Sequence, residues 1–213
     1  MALTGETLEV VPHRDVGDFE ERAPSYDRGW LGRVHHEISE RTARLALSLV
    51  PKPTHVLDVG SGTGYLLRLL AGSEPGDATL SGIDAAPSMV AVARAQTQDA
   101  RIDFRQGVAE QLPFPNDTFD LVVSTTSFDH WTDQLRGLRE IARVMRPGAR
   151  LVLVDQFSNW LLPTLLFGRR GKARTTSKAT RLIGEAGLQD VRWQDLYMSL
   201  IKAVTATCRD AIP

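Results

Sequence analysis

Three glycines at alternate positions, Gly60, Gly62 and Gly64, follow the apolar run His55–Val59 and precede Leu66, Leu67, Leu69 and Leu70. That order reads as strand, glycine turn and helix. Without Cβ atoms the turn can bring backbone N–H groups close to a ligand at the start of the helix, where the helix dipole favours negative charge. The pattern is G-x-G-x-G, with Tyr65 standing where the third glycine of the dinucleotide fingerprint G-x-G-x-x-G belongs, so the spacing does not suit NAD. Asp58 precedes the first glycine by two residues and would repel a pyrophosphate while attracting an ammonium group. Asp84 ends the second apolar run, a position from which a carboxylate can accept both hydroxyls of a ribose. Together they call for a ribose-bearing ligand that lacks phosphates and carries the charges of an amino acid. Further along, His130 lies just past another apolar run, Phe119–Ser124; its ordinary pKa near ~6.5 would let it accept a proton at neutral pH. It could equally be a packing residue of the loop it shares with Trp131.

The elements that must hold these groups follow from periodicity. Leu31, Val34, Ile38, Leu45 and Leu49 recur at helical spacing over Asp27–Val50, and Pro51 and Pro53 stop that helix. Strands are expected at Ala78–Ile83, Ile102–Arg105, Phe119–Ser124 and Arg150–Asp155. Between them fall a helix opened by Pro87 and a helix capped by Thr132 and ended by Arg146-Pro147-Gly148. A helix over Thr180–Ala186 backed by Gly187 comes next, then two successive strands, Leu188–Gln194 and Leu196–Ala206, which suggest an antiparallel hairpin at a sheet edge. Strand and helix alternation predicts an α/β fold with a mostly parallel sheet covered on both faces.

At 213 residues the chain is expected to form a single domain, 1–213, with 1–50 as an N-terminal helical cover. A formal charge of -1 gives no global field for nucleic-acid binding, so no nucleic-acid partner is expected. One cysteine, Cys208, excludes an internal disulfide and a cysteine zinc cluster, and a cytoplasmic location is the default. The N-terminus lacks the pattern of a signal peptide, and no run is long enough to span a membrane, although peripheral membrane contact stays open. No His, Cys or carboxylate spacing indicates a metal site; Asp129 and Asp155 could meet near the cleft.

Val56-Leu57-Asp58-Val59-Gly60-Ser61-Gly62-Thr63-Gly64 resembles the first motif of the class I S-adenosylmethionine-dependent methyltransferases. Gly82 to Met89 resembles the second. Ala109-Glu110-Gln111-Leu112-Pro113-Phe114 with Phe119-Asp120-Leu121-Val122 resembles the third, and Leu138 through Gly148 the helix and turn before the fifth strand. Phe19, Ala23, Tyr26 and Asp27 resemble the entry segment of the small-molecule branch that includes the ubiquinone/menaquinone biosynthesis enzymes.

The resemblance implies a Rossmann-like three-layer sandwich with seven strands, and S-adenosylmethionine as cofactor. It also implies that Gly60, Ser61, Gly62 and Gly64 surround the methionine and ribose portions, with Asp58 at the amino group and Asp84 on the ribose. Ala85 and Met89 would line one face of the adenine, and Ala109 and Glu110 the other. Ser124 and Thr125 would reach the methionyl part, and Tyr26 would close over its carboxylate. Val108 departs from the pattern, because many relatives place Asp there to accept from the adenine amino group.

The expected reaction is methyl transfer to O, N or C of a small, apolar or aromatic metabolite, releasing S-adenosylhomocysteine, with His130 as the base if one is needed. Ser124-Thr125-Thr126-Ser127 does not resemble the [N/D]-P-P-[Y/F] of adenine and glutamine amide methyltransferases. Cys208, with no Pro before it, does not resemble the nucleophile of pyrimidine C5 enzymes. An RNA or protein methyltransferase and a non-catalytic S-adenosylmethionine-binding protein are the alternatives. His35 and His36, on the N-terminal helix, could touch the acceptor or simply face solvent. The segment 156–178, with the apolar piece Trp160–Phe167 and the cations Arg169, Arg170, Lys172, Arg174 and Lys178, is expected to cover the substrate.

Overall fold

The short apolar runs become strands because they alternate faces and both faces are covered. In the computed structural model, which describes residues 16–73, 76–157 and 175–209, Val56 and Leu57 lie on opposite sides of one sheet and both are fully buried. The strands are β1 (His55–Val59), β2 (Thr79–Asp84), β3 (Ile102–Gln106), β4 (Phe119–Thr125), β5 (Met145–Gln156), β6 (Leu188–Tyr197) and β7 (Ile201–Cys208). Their order is β3-β2-β1-β4-β5-β7-β6. The first five are parallel, and β7 pairs antiparallel with both β5 and β6. Chain order reverses between β1 and β4, and a crevice for a ligand opens at the carboxyl ends of the strands at such a switch point. The α/β, Rossmann-like expectation with a C-terminal antiparallel hairpin is met.

Helices α1 (Val16–Arg22), α2 (Gly29–Leu49), α3 (Tyr65–Ser73), α4 (Pro87–Gln96), α5 (Gln134–Val144) and α6 (Thr176–Glu185) complete the described elements. Ile38 and Ala46 of α2, Leu67 and Leu70 of α3 and Ala93 of α4 share one core with Val56, Leu121 and Val152. Leu138 and Ile141 of α5 and Ile183 of α6 form the opposite core with Leu57, Val122 and Leu151. Each such buried Leu or Ile contributes roughly 1.5–3 kcal/mol.

Local departures from expectation have identifiable causes. The N-terminal cover is two helices, joined by a 3-10 turn at Ala23–Ser25. Gly29 turns the chain at φ +70°, and a Cβ on Gly32 would meet the Asp27 carbonyl carbon and oxygen at 2.3 Å. The cap of α5 is Asp133, whose carboxylate accepts from Arg136 N at 3.0 Å; Thr132 does not cap it. Arg146-Pro147-Gly148 lies inside β5, because Phe119 pairs Met145 before the register shifts and Leu121 pairs Arg150. Thr175 caps α6, so that helix starts at Thr176, before Thr180. Leu196 belongs to β6, and the hairpin turns at Met198 and Ser199, both with positive φ. The expected covering segment, including Trp160–Phe167 and Arg169 to Arg174, lies outside the described residues apart from its two ends.

Candidate functional site

Three cavities meet at the carboxyl ends of β1, β2 and β4. Tyr26 and Thr126 line all three. Tyr26 leaves the 3-10 turn after α1 and is largely enclosed, so burial pushes its phenol up to about 12 against the opposing charge of Arg22. Thr126 sits one residue beyond β4 at φ +54°, a left-handed conformation that costs a β-branched residue on the order of 1–3 kcal/mol. Its N–H is held by the Val154 carbonyl at 2.7 Å.

The first cavity runs between the glycine turn and α4. Asp84 anchors it: Oδ2 accepts from Gly62 N at 2.8 Å and Oδ1 from Ala86 N at 2.9 Å. Burial raises its pKa against those two bonds. A carboxylate has about four lone-pair sites, so both oxygens keep capacity for hydroxyl donors. Ala85 and Met89 form one wall and Ala109, Glu110 and Val108 another. Glu110 Oε1 accepts from Asp133 N at 2.9 Å, tying that wall to the start of α5. Phe19 of α1 crosses the mouth and meets the His130 ring edge to face, 5.0 Å between centroids.

The second cavity, below Tyr26, is narrow and polar. Asp58 Oδ1, Ser61 Oγ and Thr125 Oγ1 line it, each buried without a hydrogen-bond partner, and His35 Nδ1 on another wall is in the same state. Burial, with the Asp84 charge behind it, pushes the Asp58 carboxyl up to about 8. Buried polar groups are ordinarily paired because an unmet one costs about 1–3 kcal/mol. Several in one cavity mark a place prepared for a polar ligand. The lid over it is fixed by Asp27 Oδ1, which accepts from Thr63 Oγ1 at 3.0 Å and lies 3.2 Å from His36 Nε2. The His36 ring in turn stacks on Tyr65, 3.8 Å between centroids.

The third cavity is the roomiest, about 550 Å³, between α1, α2 and the β6–β7 hairpin. Its walls are largely apolar, including Trp30, Ile38, Met198 and Leu200, and its floor carries Asp129, His130, Asp155 and Gln156. Asp155 is buried, which raises its pKa; its oxygens accept from Asp129 N at 3.1 Å and Gln156 N at 2.6 Å. His130 opens onto both this cavity and the first. Among the described residues no group of three or more His, Cys, Asp or Glu is placed to hold a metal ion.

Twelve of the fourteen residues singled out in the sequence therefore line these cavities, and two do not. Ser124 is fully buried, with Oγ 2.7 Å from Ser127 Oγ, which donates to the Val59 carbonyl at 2.9 Å; it braces β1 against the loop. Gly64 faces the core: a Cβ there would stand 2.4 Å from Phe104 Cζ. Thr126 is the addition from the structure, while His35, one of the two histidines offered as acceptor contacts, lines the large and the narrow cavity and His36 the narrow one. Thr126 carried a signal in its place just past the apolar run of β4, where strand ends meet ligands. His35 was visible only as a histidine on the covering helix.

A family model described as a methyltransferase domain matches residues 57–153, the stretch from β1 through most of β5. The demethylmenaquinone methyltransferase of Thermus thermophilus is 36% identical over 142 residues, 64% of this chain and 63% of that protein. Together these matches support a class I S-adenosylmethionine-dependent methyltransferase. A rice 2-methyl-6-phytyl-1,4-hydroquinone methyltransferase is 39% identical over 101 residues, 47% of this chain and 28% of that protein. The chain thus spans less than two thirds of the length of these curated relatives. The fold matches, at TM-score 0.76 and 21% identity, a chain solved in a complex with the Haloferax volcanii Trm112 methyltransferase activator; the match covers 90% of this chain and 98% of that one.

S-adenosylmethionine is the cofactor of this methyltransferase family, and the residues present fit it. The cleft offers a buried carboxylate for a ribose and a second, unpaired carboxyl for an ammonium group. Gly60 leaves room where a Cβ would collide with Ser127 Cβ at 2.3 Å.

Proposed function

We propose that the chain transfers a methyl group from S-adenosylmethionine to a small-molecule acceptor held in the large cavity, releasing S-adenosylhomocysteine. The unpaired Asp58, Ser61 and Thr125 atoms, set between the ribose carboxylate and that cavity, carry this reading. When bound, the cofactor supplies an activated methyl group on a sulfonium, so the protein has chiefly to align donor and acceptor.

Asp58 would take the ammonium end and Asp84 the ribose hydroxyls, with Ala85, Met89, Ala109 and Glu110 flanking the adenine. Gly60, Ser61, Gly62 and Thr125 would enclose the methionyl part beneath Tyr26. Thr126, which like Tyr26 lines all three cavities, would form the roof at the point where they join. His130 would accept the proton that an O–H or N–H acceptor gives up, from a position open to both donor and acceptor cavities. The Val108 side chain offers no hydrogen bond to the adenine amino group, which would then be met by Glu110, Gln111 or the backbone.

The apolar walls of the large cavity favour a flat or apolar acceptor, a class to which the quinone-type substrates named for the two relatives belong. A single domain in the cytoplasm is part of the same reading. The test is formation of S-adenosylhomocysteine from the cofactor with a panel of apolar phenols and hydroquinones. Acceptor-dependent product supports the proposal. Cofactor binding with no product from phenols, amines or RNA would leave the non-catalytic alternative in its place.

A further inference from the structure

Four large apolar side chains are strongly exposed among the described residues: Trp30 at 68%, Leu31 at 51%, Met198 at 74% and Leu200 at 47%. They are not scattered. Trp30, Met198 and Leu200 all border the large cavity, and Leu31 follows Trp30 in the first turn of α2. Two segments more than 160 residues apart in sequence thus present one apolar rim at one opening.

The hairpin turn is unusual in the same sense. Met198 and Ser199 have φ of +47° and +54°, and Leu200 N donates to the Tyr197 carbonyl at 3.2 Å, so both central residues take the left-handed pair that Asn-Gly fits best. A methionine held there with most of its surface in water is disfavoured both by its backbone and by its side chain. Arg28 and Arg33, both exposed, bracket Trp30-Leu31, and neither guanidinium has an acidic partner among the described residues.

We propose that this rim docks on a lipid bilayer containing anionic headgroups. Trp30, Leu31, Met198 and Leu200 enter the boundary between headgroups and acyl chains, and Arg28 and Arg33 meet the phosphates, so that the large cavity opens toward the membrane. The patch is too small for a stable homodimer. With full side-chain areas of at most roughly 150–250 Å², the four expose on the order of 500 Å², short of the ~800 Å² per partner of a standard interface. Aromatic and long apolar side chains flanked by arginine match a membrane interface, where one end of the group is wet and the other apolar.

Docking requires neither cofactor nor acceptor, so its failure is distinguishable from failure of the methyltransferase reading, which calorimetry with S-adenosylhomocysteine checks on the same sample. The full chain is sedimented with sucrose-loaded vesicles of phosphatidylcholine alone and of four parts phosphatidylcholine to one part phosphatidylglycerol. Binding is expected to the mixed vesicles, several-fold weaker to the neutral ones and at high salt, with a blue shift in emission that Trp30→Phe removes. Met198→Asp with Leu200→Asp should cut the partition coefficient about tenfold or more. Met198→Gly should raise Tm, since glycine accepts the left-handed backbone, and still weaken vesicle binding. Absence of sedimentation with both vesicles, or equal binding by the wild type and both variants, overturns the proposal. So does self-association that the double variant abolishes, which would make the rim a contact between copies.

Discussion

Replacing Asp58 by Asn separates the cost of keeping an unpaired buried carboxyl from its use. The carboxyl lies in the narrow cavity with Oδ1 unpaired, and burial raises its pKa to about 8. At pH 7 roughly one molecule in ten therefore carries it ionised, and a ligand ammonium that requires the anion binds about 1.4 kcal/mol more weakly than it would to a fully ionised site. Affinity for S-adenosylhomocysteine should rise about tenfold per pH unit from 6 toward 8, and fall again at higher pH as the ligand amine loses its proton. Close to one proton should leave the protein on binding at pH 7, which calorimetry in buffers of different ionisation enthalpy reads directly.

Asp58→Asn should abolish that proton release and weaken binding at pH 8 by roughly tenfold to a hundredfold, the value of a hydrogen bond to a charged group. At pH 6 it should differ little from the wild type. Stability moves the other way. A carboxyl whose folded pKa is raised stabilises the fold fully only below its unfolded value near ~4, and that contribution is lost as pH rises through about 8. The variant should therefore be more stable than the wild type at pH 8, by up to about 5 kcal/mol at the limit, and melt at a higher temperature. A wild type whose affinity does not change between pH 6 and 8, or a variant that still releases the proton, would refute the reasoning.

Asp84→Ala removes both the acceptor for hydroxyls and the tie to Gly62 N, so affinity for S-adenosylhomocysteine should fall about tenfold to a hundredfold by calorimetry. His130→Ala should leave that affinity near the wild-type value while turnover of an acceptor that must lose a proton drops about 10²–10⁴-fold; unchanged turnover would remove the base. Gly64→Ala combines φ of +79° with a contact of 2.4 Å to buried Phe104, and should cost about 2–4 kcal/mol, seen as a Tm lower by roughly 5–15 °C. Protein that stays folded should still bind the cofactor, because Gly64 faces the core and not the cleft.

Much of the site could be read before folding because its chemistry is local. A strand, a glycine turn and the acid ending the next strand are each set by residues within a few positions, so Asp58, Gly60, Gly62 and Asp84 were placed by spacing alone. Backbone sterics and two-residue alternation act over the same short range, which is why five of the seven strands start within one residue of where they are expected; β5 starts earlier, and the hairpin turn at Met198-Ser199 moves the start of β7.

Facing could not be read so simply. Ser124 and Thr125 looked alike in sequence, yet pleating turned Ser124 inward to Ser127, while the left-handed step at Thr126 aimed the next side chain at the junction. The large cavity draws on α1, α2, the ends of β4 and β5 and the last hairpin, so its walls depend on how elements far apart in the chain pack. The sequence by itself determined the sheet, the glycine turn and the two carboxyls at its mouth, since these follow from local periodicity and backbone freedom. Only the tertiary structure decided that His35, Thr126, Trp30 and Met198 share one space, because side chains distant in sequence meet only where the packing of helices and strands brings them.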